Sequence, residues 1–179
     1  MTNPTNESPQ PLSLATFWGI GGYLLLLSQA IYRLTPLAWE PVSAGLLHGW
    51  HWPALIGYIV FMAYSEGYKG FFKQVGPRVA ARGFHLTSES SWLRRLLAPL
   101  FCMSLFGATR KRLIVSWCLY TGIVIIVLAV RKLHQPYRGM IDAGVVVGLA
   151  MGVVAVVLYT AVGLRGDTLP VSADIPKSK

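Results

Sequence analysis

Residues Leu113 to Val130 read LIVSWCLYTGIVIIVLAV, a run without one charged side chain. As an α-helix it is about 27 Å long, close to the roughly 30 Å of hydrocarbon in a bilayer. Its flanks are basic: Arg110, Lys111 and Arg112 precede it and Arg131 and Lys132 follow. An apolar run of this length with charged ends reads as a membrane span, over 113–130.

Outward from that run the pattern repeats. After a polar connection from Arg131 to Gly139, Met140 to Leu164 supplies a second long apolar stretch, over 140–164. Toward the N-terminus, Leu12 to Leu34 carries no charge before Arg33 and gives a span over 12–34, which Thr35-Pro36 is expected to stop. Trp39, Trp50 and Trp52 follow, amphipathic rings of the type that settle at the headgroup boundary. Pro53 is suited to a first helical turn, where its missing N–H would be unpaired anyway, and it opens an apolar stretch through Tyr64 that, with the preceding apolar residues joined to it, gives a further span over 46–66. The fold expected is therefore an all-α integral membrane protein. A bundle of four transmembrane helices lies over 12–164, between a polar tail at 1–11 and another at 165–179.

Composition agrees with lipid as the main solvent. The 179 residues are 54% hydrophobic and 13% charged, with mean hydropathy +0.51, too apolar for an ordinary water-soluble domain. A net charge of +9 would suggest nucleic acid in a soluble chain. Here the cations flank apolar runs, which points to anionic lipid headgroups and excludes nucleic acid as the expected partner. Tail 1–11 has no Lys or Arg, so the positive n-region of a signal peptide is missing.

The segment 67–112 joins the second and third spans. Glu66, Lys69 and Lys73 recur at helical spacing until Gly76-Pro77, where a break is expected. Beyond it, Arg78, Arg82 and His85 share one face of a short helix expected to lie on the membrane surface. Leu96 to Ala108 is apolar except for Ser104 but, at about 20 Å as a helix, is too short to cross. Arg94 and Arg95 before it and Arg110, Lys111 and Arg112 after it prefer one side, so the reading is an interfacial or re-entrant segment whose cations contact headgroups.

Counting Lys and Arg orients the chain. Nine fall in 69–112, and the C-terminal tail adds Arg165, Lys177 and Lys179, whereas Arg33, Arg131, Lys132 and Arg138 lie on the opposite side. The positive-inside tendency puts both termini and the large loop in the cytoplasm, with a bacterial plasma membrane as the default location.

Three groups of residues carry the functional expectations. Glu66, Tyr68, Lys69, Lys73, Arg78, Arg82 and Asp142 form a polar set able to hold an ion or a lipid phosphate, since ionisable groups in spans are costly and need partners. For Asp142 a structural role is weighed beside this one: a first-turn carboxylate at the positive helix end, with Arg138 four residues earlier. Gly144, Gly148 and Gly152 make a stripe on which another helix backbone can approach closely, within the chain or in a homo-oligomer. His48, His51 and His134 fall on one side and could ligate haem or a metal, although His48-Gly49-Trp50-His51-Trp52 reads first as interfacial.

Cys102 and Cys118 lack metal or redox spacing. No hydrolase or nucleotide motif is present, so the expected function is a non-enzymatic structural or assembly component without a cofactor. It would pack in a larger membrane complex or with itself and contact anionic lipid. The alternatives are a small transporter or channel using Glu66 and Asp142, and a haem- or metal-binding protein.

Overall fold

The computed structural model describes residues 13–86 and 92–171, with only the backbone of Arg94. The tail 1–11 and most of 165–179, including Lys177 and Lys179, lie outside these bounds. The described residues form helices and no strand: α1 (Leu14–Ser43), α2 (His51–Met62), a π-helical segment (Ala63–Val75), α3 (Gly76–Phe84), α4 (Trp92–Leu96), α5 (Ala98–Cys102), α6 (Arg110–Val130) and α7 (Tyr137–Leu164). Three of them, α1, α6 and α7, are long and apolar enough to cross a membrane.

α1 starts at Ser13, whose hydroxyl accepts from the Thr16 N–H at 3.2 Å, an N-cap. It does not stop at Thr35-Pro36 as the sequence suggested but runs through Pro36 and Pro41 to Ser43. A proline inside a helix leaves the carbonyl four residues earlier without its usual donor, and for Pro41 that carbonyl is Leu37 O. Gln135 supplies the substitute, its Nε2 donating to Leu37 O at 3.4 Å and to Glu40 at 2.8 Å. Beside Pro36, the Thr35 hydroxyl donates to Ile31 O at 2.7 Å. Side-chain donors, here one from the turn before α7 and one from α1 itself, help keep a proline-containing helix continuous.

The break expected at Gly76-Pro77 is also absent: α2, the π segment and α3 form one helical run over 51–84. In the π segment the register is i→i−5, and its last donor, Gly76 N–H, reaches Phe71 O. Pro77 then stands in the first turn of α3, where it withholds no needed donor.

α1 runs antiparallel to both α7 and the α2–π–α3 run, and the ends define two poles. At one pole Trp50 and His51 stand beside Tyr137, ring centroids 6.3 and 5.9 Å apart, while Gly139 fits under Pro41, where a Cβ would come within 2.5 Å of the proline ring. At the other, Ser13 and Thr16 donate to Leu86 O, and Phe84 covers Gly163.

α4 and α5 fold back onto the first half of α1. Pro99 fills the space above Gly22, and Ala98 and Cys102 lie over Gly19, so a methyl group at either glycine would collide. The core joins Ile20 and Tyr23 of α1, Val79 of α3, Phe101 and Cys102 of α5 and Val156 of α7. α6 stands at the edge: of its residues only Ser116 is buried, and Trp117 Nε1 donates to Leu105 O at 3.2 Å.

Candidate functional site

The polar residues singled out in the sequence separate into a buried clamp, a seam between helices and an outward face. Arg82 is fully buried, at 0% exposure. Its Nε donates to Phe101 O at 2.6 Å, and Nη2 donates to Phe106 O at 2.9 Å and Gly107 O at 3.1 Å. The guanidinium also lies 4.0 Å from the centre of the Phe101 ring. Its reading as a headgroup-facing cation on a surface helix is thereby corrected, and α3 is part of the bundle, burying Val79, Ala80 and Gly83 as well.

The physical reason lies in the backbone of 101–107. The end of α5 and the turn after it, which includes Ser104 at φ 61° and Gly107 at φ 61°, turn carbonyls toward Arg82: Phe101 O also accepts from Ser104 N–H at 3.0 Å, while those of Phe106 and Gly107 lie beyond the end of the helix. A planar fork with five N–H donors serves several of them at once. Beside it lies the buried Cys102 thiol.

The seam joins the α2–π run to α7, along the glycine stripe. A Cβ at Gly144 would lie 2.5 Å from Tyr58, one at Gly148 2.9 Å from Glu66 Oε2, and one at Gly152 2.7 Å from Phe71. Gly67 answers from the opposite helix, covered by Met151. The stripe therefore packs within the chain, and it turns the Glu66 carboxylate inward against Gly148.

Asp142, 5% exposed, stands 3.7 Å from Arg138 Nε. It is the sixth residue of α7 rather than in the first turn, because α7 begins at Tyr137, where Gln135 Oε1 accepts from Gly139 N–H at 3.0 Å. The contribution expected from the helix end fades beyond the first turn, and the Arg138 pairing remains. Tyr58 covers Gly144, between Asp142 and the Gly148 that Glu66 meets. Two cavities open elsewhere, one of about 520 Å³ lined by Ile31, Tyr32, Ala150 and Val153 among others, the other of about 180 Å³ between α1 and Leu164; neither is lined by an acid.

The outward face carries Tyr64, Tyr68, Lys69 and Lys73, all exposed. Lys69 Nζ lies over the Tyr64 ring and Lys73 Nζ over the Tyr68 ring, each at 4.9 Å, and the two rings stack 6.1 Å apart. Both cation–π pairs are five residues apart. In an α-helix such residues point in different directions, but one π turn brings them together. Sequence reasoning found these residues at α-helical spacing and missed the tyrosine pairing, which depends on the change of register. Arg78, half-buried, lies on the same run in α3 and has partners of its own.

At the pole near Leu86, Arg95, Arg110 and Lys111 are exposed and Arg112 is half-buried and engaged; the Arg94 side chain is outside the described residues. At the opposite pole His51 Nδ1 is 3.1 Å from the His48 N–H and 2.9 Å from His48 O, and its ring stacks 4.5 Å from Trp50. Among the described residues no group of three His, Cys, Asp or Glu side chains is placed to hold a metal ion. No family model matches the chain, and no curated protein or solved structure is significantly similar to it.

Proposed function

We propose that this protein is a four-span integral membrane subunit that acts by assembly rather than by catalysis, packing into a larger membrane complex with its basic pole against anionic headgroups. The observation that carries the reading is the outward Tyr64–Lys73 face. Its neighbours Gly67 and Phe71 pack on Met151 and Gly152, near the middle of the uncharged stretch of α7, so in this reading the bundle alone leaves it in lipid.

The fourth span is the α2–π–α3 run. Its support is that the run travels from the Tyr137 pole to the Gly163 pole, as far as α7 does. Between Asp142 and Arg165, α7 has no charged residue, a length of about 33 Å that matches the hydrocarbon thickness. In this reading 92–109 is re-entrant, because Pro99 meets α1 at Gly22, about 13 Å along the helix from Ser13. Irregular backbone at that depth requires protein-supplied donors, and Arg82 provides them. The pole bearing Arg95, Arg110 and Lys111 faces the cytoplasm, with both termini.

A lysine at the centre of a span costs about 2.5–3.5 kcal/mol on insertion scales, so two on one face favour a covered state. The test is gentle solubilisation of the native membrane followed by native electrophoresis and mass measurement. The expected result is a particle containing other protein chains. A species that remains a detergent-bound monomer in mild detergent and in lipid nanodiscs contradicts the assembly reading.

A further inference from the structure

We propose that the face formed by Tyr64, Tyr68, Lys69 and Lys73 is the docking surface for an acidic transmembrane helix of another protein, whose carboxylates pair with the two lysines inside the hydrocarbon. The inference rests on the assembly reading and adds the chemistry of the partner.

Depth comes first. Gly67 is covered by Met151, and Phe71 lies on Gly152. Residues 151 and 152 are near the middle of the uncharged stretch of α7 between Asp142 and Arg165. Lys69 lies between these contacts and Lys73 two residues beyond them, so both emerge near the bilayer centre. Headgroup phosphates lie about half a hydrocarbon thickness away, roughly 15 Å, so lipid anions are poorly placed to neutralise them.

The side chains also do not run for the nearest interface. Both ammonium groups fold back over tyrosine rings one π turn earlier, which leaves them on a flat aromatic shelf. The exposures of Tyr64 and Tyr68 are 54% and 45%, a surface on which a second helix can rest. A cation–π contact supplies part of what a buried ammonium needs, and a carboxylate supplies the remainder.

The chain has no such carboxylate to give. Among the described residues neither lysine forms an ion pair. The acids within its own described helices are Glu40, which accepts from Gln135 at the far pole, Glu66, turned onto Gly148, and Asp142, buried beside Arg138, so none reaches the lysines. A second copy would bring the same inward-facing acids and the same outward lysines, so like charges would meet. Charge complementarity selects a different chain, with one or two Asp or Glu residues a helical turn apart, to match the four-residue step from Lys69 to Lys73.

The test uses the full chain, donor-labelled, in neutral phosphatidylcholine vesicles with an acceptor-labelled leucine-based transmembrane peptide bearing two central Glu residues four apart. Energy transfer should exceed that of the all-leucine peptide at least tenfold in apparent association. It should fall to the all-leucine level in the double variant Lys69→Met/Lys73→Met and persist in Lys69→Arg/Lys73→Arg. Equal transfer with both peptides, or unchanged transfer in the Met variant, overturns the proposal. So does self-association of the protein that depends on the two lysines, or loss of the peptide signal on adding phosphatidylglycerol, which would mean a second copy or a lipid is the occupant. A chain that still migrates in a heteromeric native particle but ignores the peptide refutes the acidic-helix chemistry alone, whereas a monomer in native membranes refutes the assembly reading beneath it.

Discussion

Arg82 shows how one side chain can be read correctly as charged and wrongly as exposed. Its spacing from Arg78 and His85 suggests a basic surface, but its partners are the carbonyls of Phe101, Phe106 and Gly107. Backbone acceptors leave no trace in sequence, so nothing in residues 101–107 announces that they need a cation. Replacing Arg82 with Lys removes the fork and keeps the charge. Each buried carbonyl left without a donor costs about 1–3 kcal/mol, so Arg82→Lys should lower the melting temperature in detergent and expose Cys102. The folded wild type keeps that thiol buried, at 1% exposure. It should resist a maleimide that labels Arg82→Lys readily in a Cys118→Ala background. Equal labelling of both would contradict the clamp.

At the level of elements, the apolar runs were legible because span length and absence of charge are written directly in composition. α6 and α7 coincide closely with the runs at 113–130 and 140–164. The continuity of α1 past Pro36 and Pro41 was not, since the donor that rescues Leu37 O comes from Gln135, almost a hundred positions away in the chain. Gln135→Leu removes the hydrogen bonds to Leu37 O, Glu40 and Gly139 N–H together. It should destabilise the protein by on the order of 2 kcal/mol, read by thermal unfolding in detergent, whereas Gly122→Ala, with nothing within 4 Å of the new methyl, should stay within about 0.5 kcal/mol of wild type.

The glycine stripe was legible as a packing device but not its partner. Gly148→Leu forces a side chain into Glu66 and should cost on the order of 1–3 kcal/mol, whereas the same change at Gly57, where no atom lies within 4 Å, should be tolerated. A Gly148→Leu protein as stable as wild type would remove the seam from the account.

For the whole molecule, the sequence suggested four spans with a surface-skimming loop. The described residues contain three helices of unambiguous span length, α1, α6 and α7. The proposed fourth is a composite run whose middle is polar, which is why periodicity placed its exit from the membrane at Glu66. The π register and the glycines let that polar middle pack against α7 while Lys69 and Lys73 turn outward. Hydropathy sees those two lysines as the end of a span, but the partners of Gly67 and Phe71 place them level with the middle of α7.

The central claim, that the α2–π–α3 run crosses the bilayer, is tested most directly by labelling single cysteines with a membrane-impermeant maleimide from each side of sealed vesicles. In a background without Cys102 and Cys118, the sites are Gly45→Cys, His85→Cys, Leu133→Cys and Asp167→Cys. Positions 45 and 133 should label from one side and positions 85 and 167 from the other. Labelling of 45 and 85 from the same side would contradict the crossing.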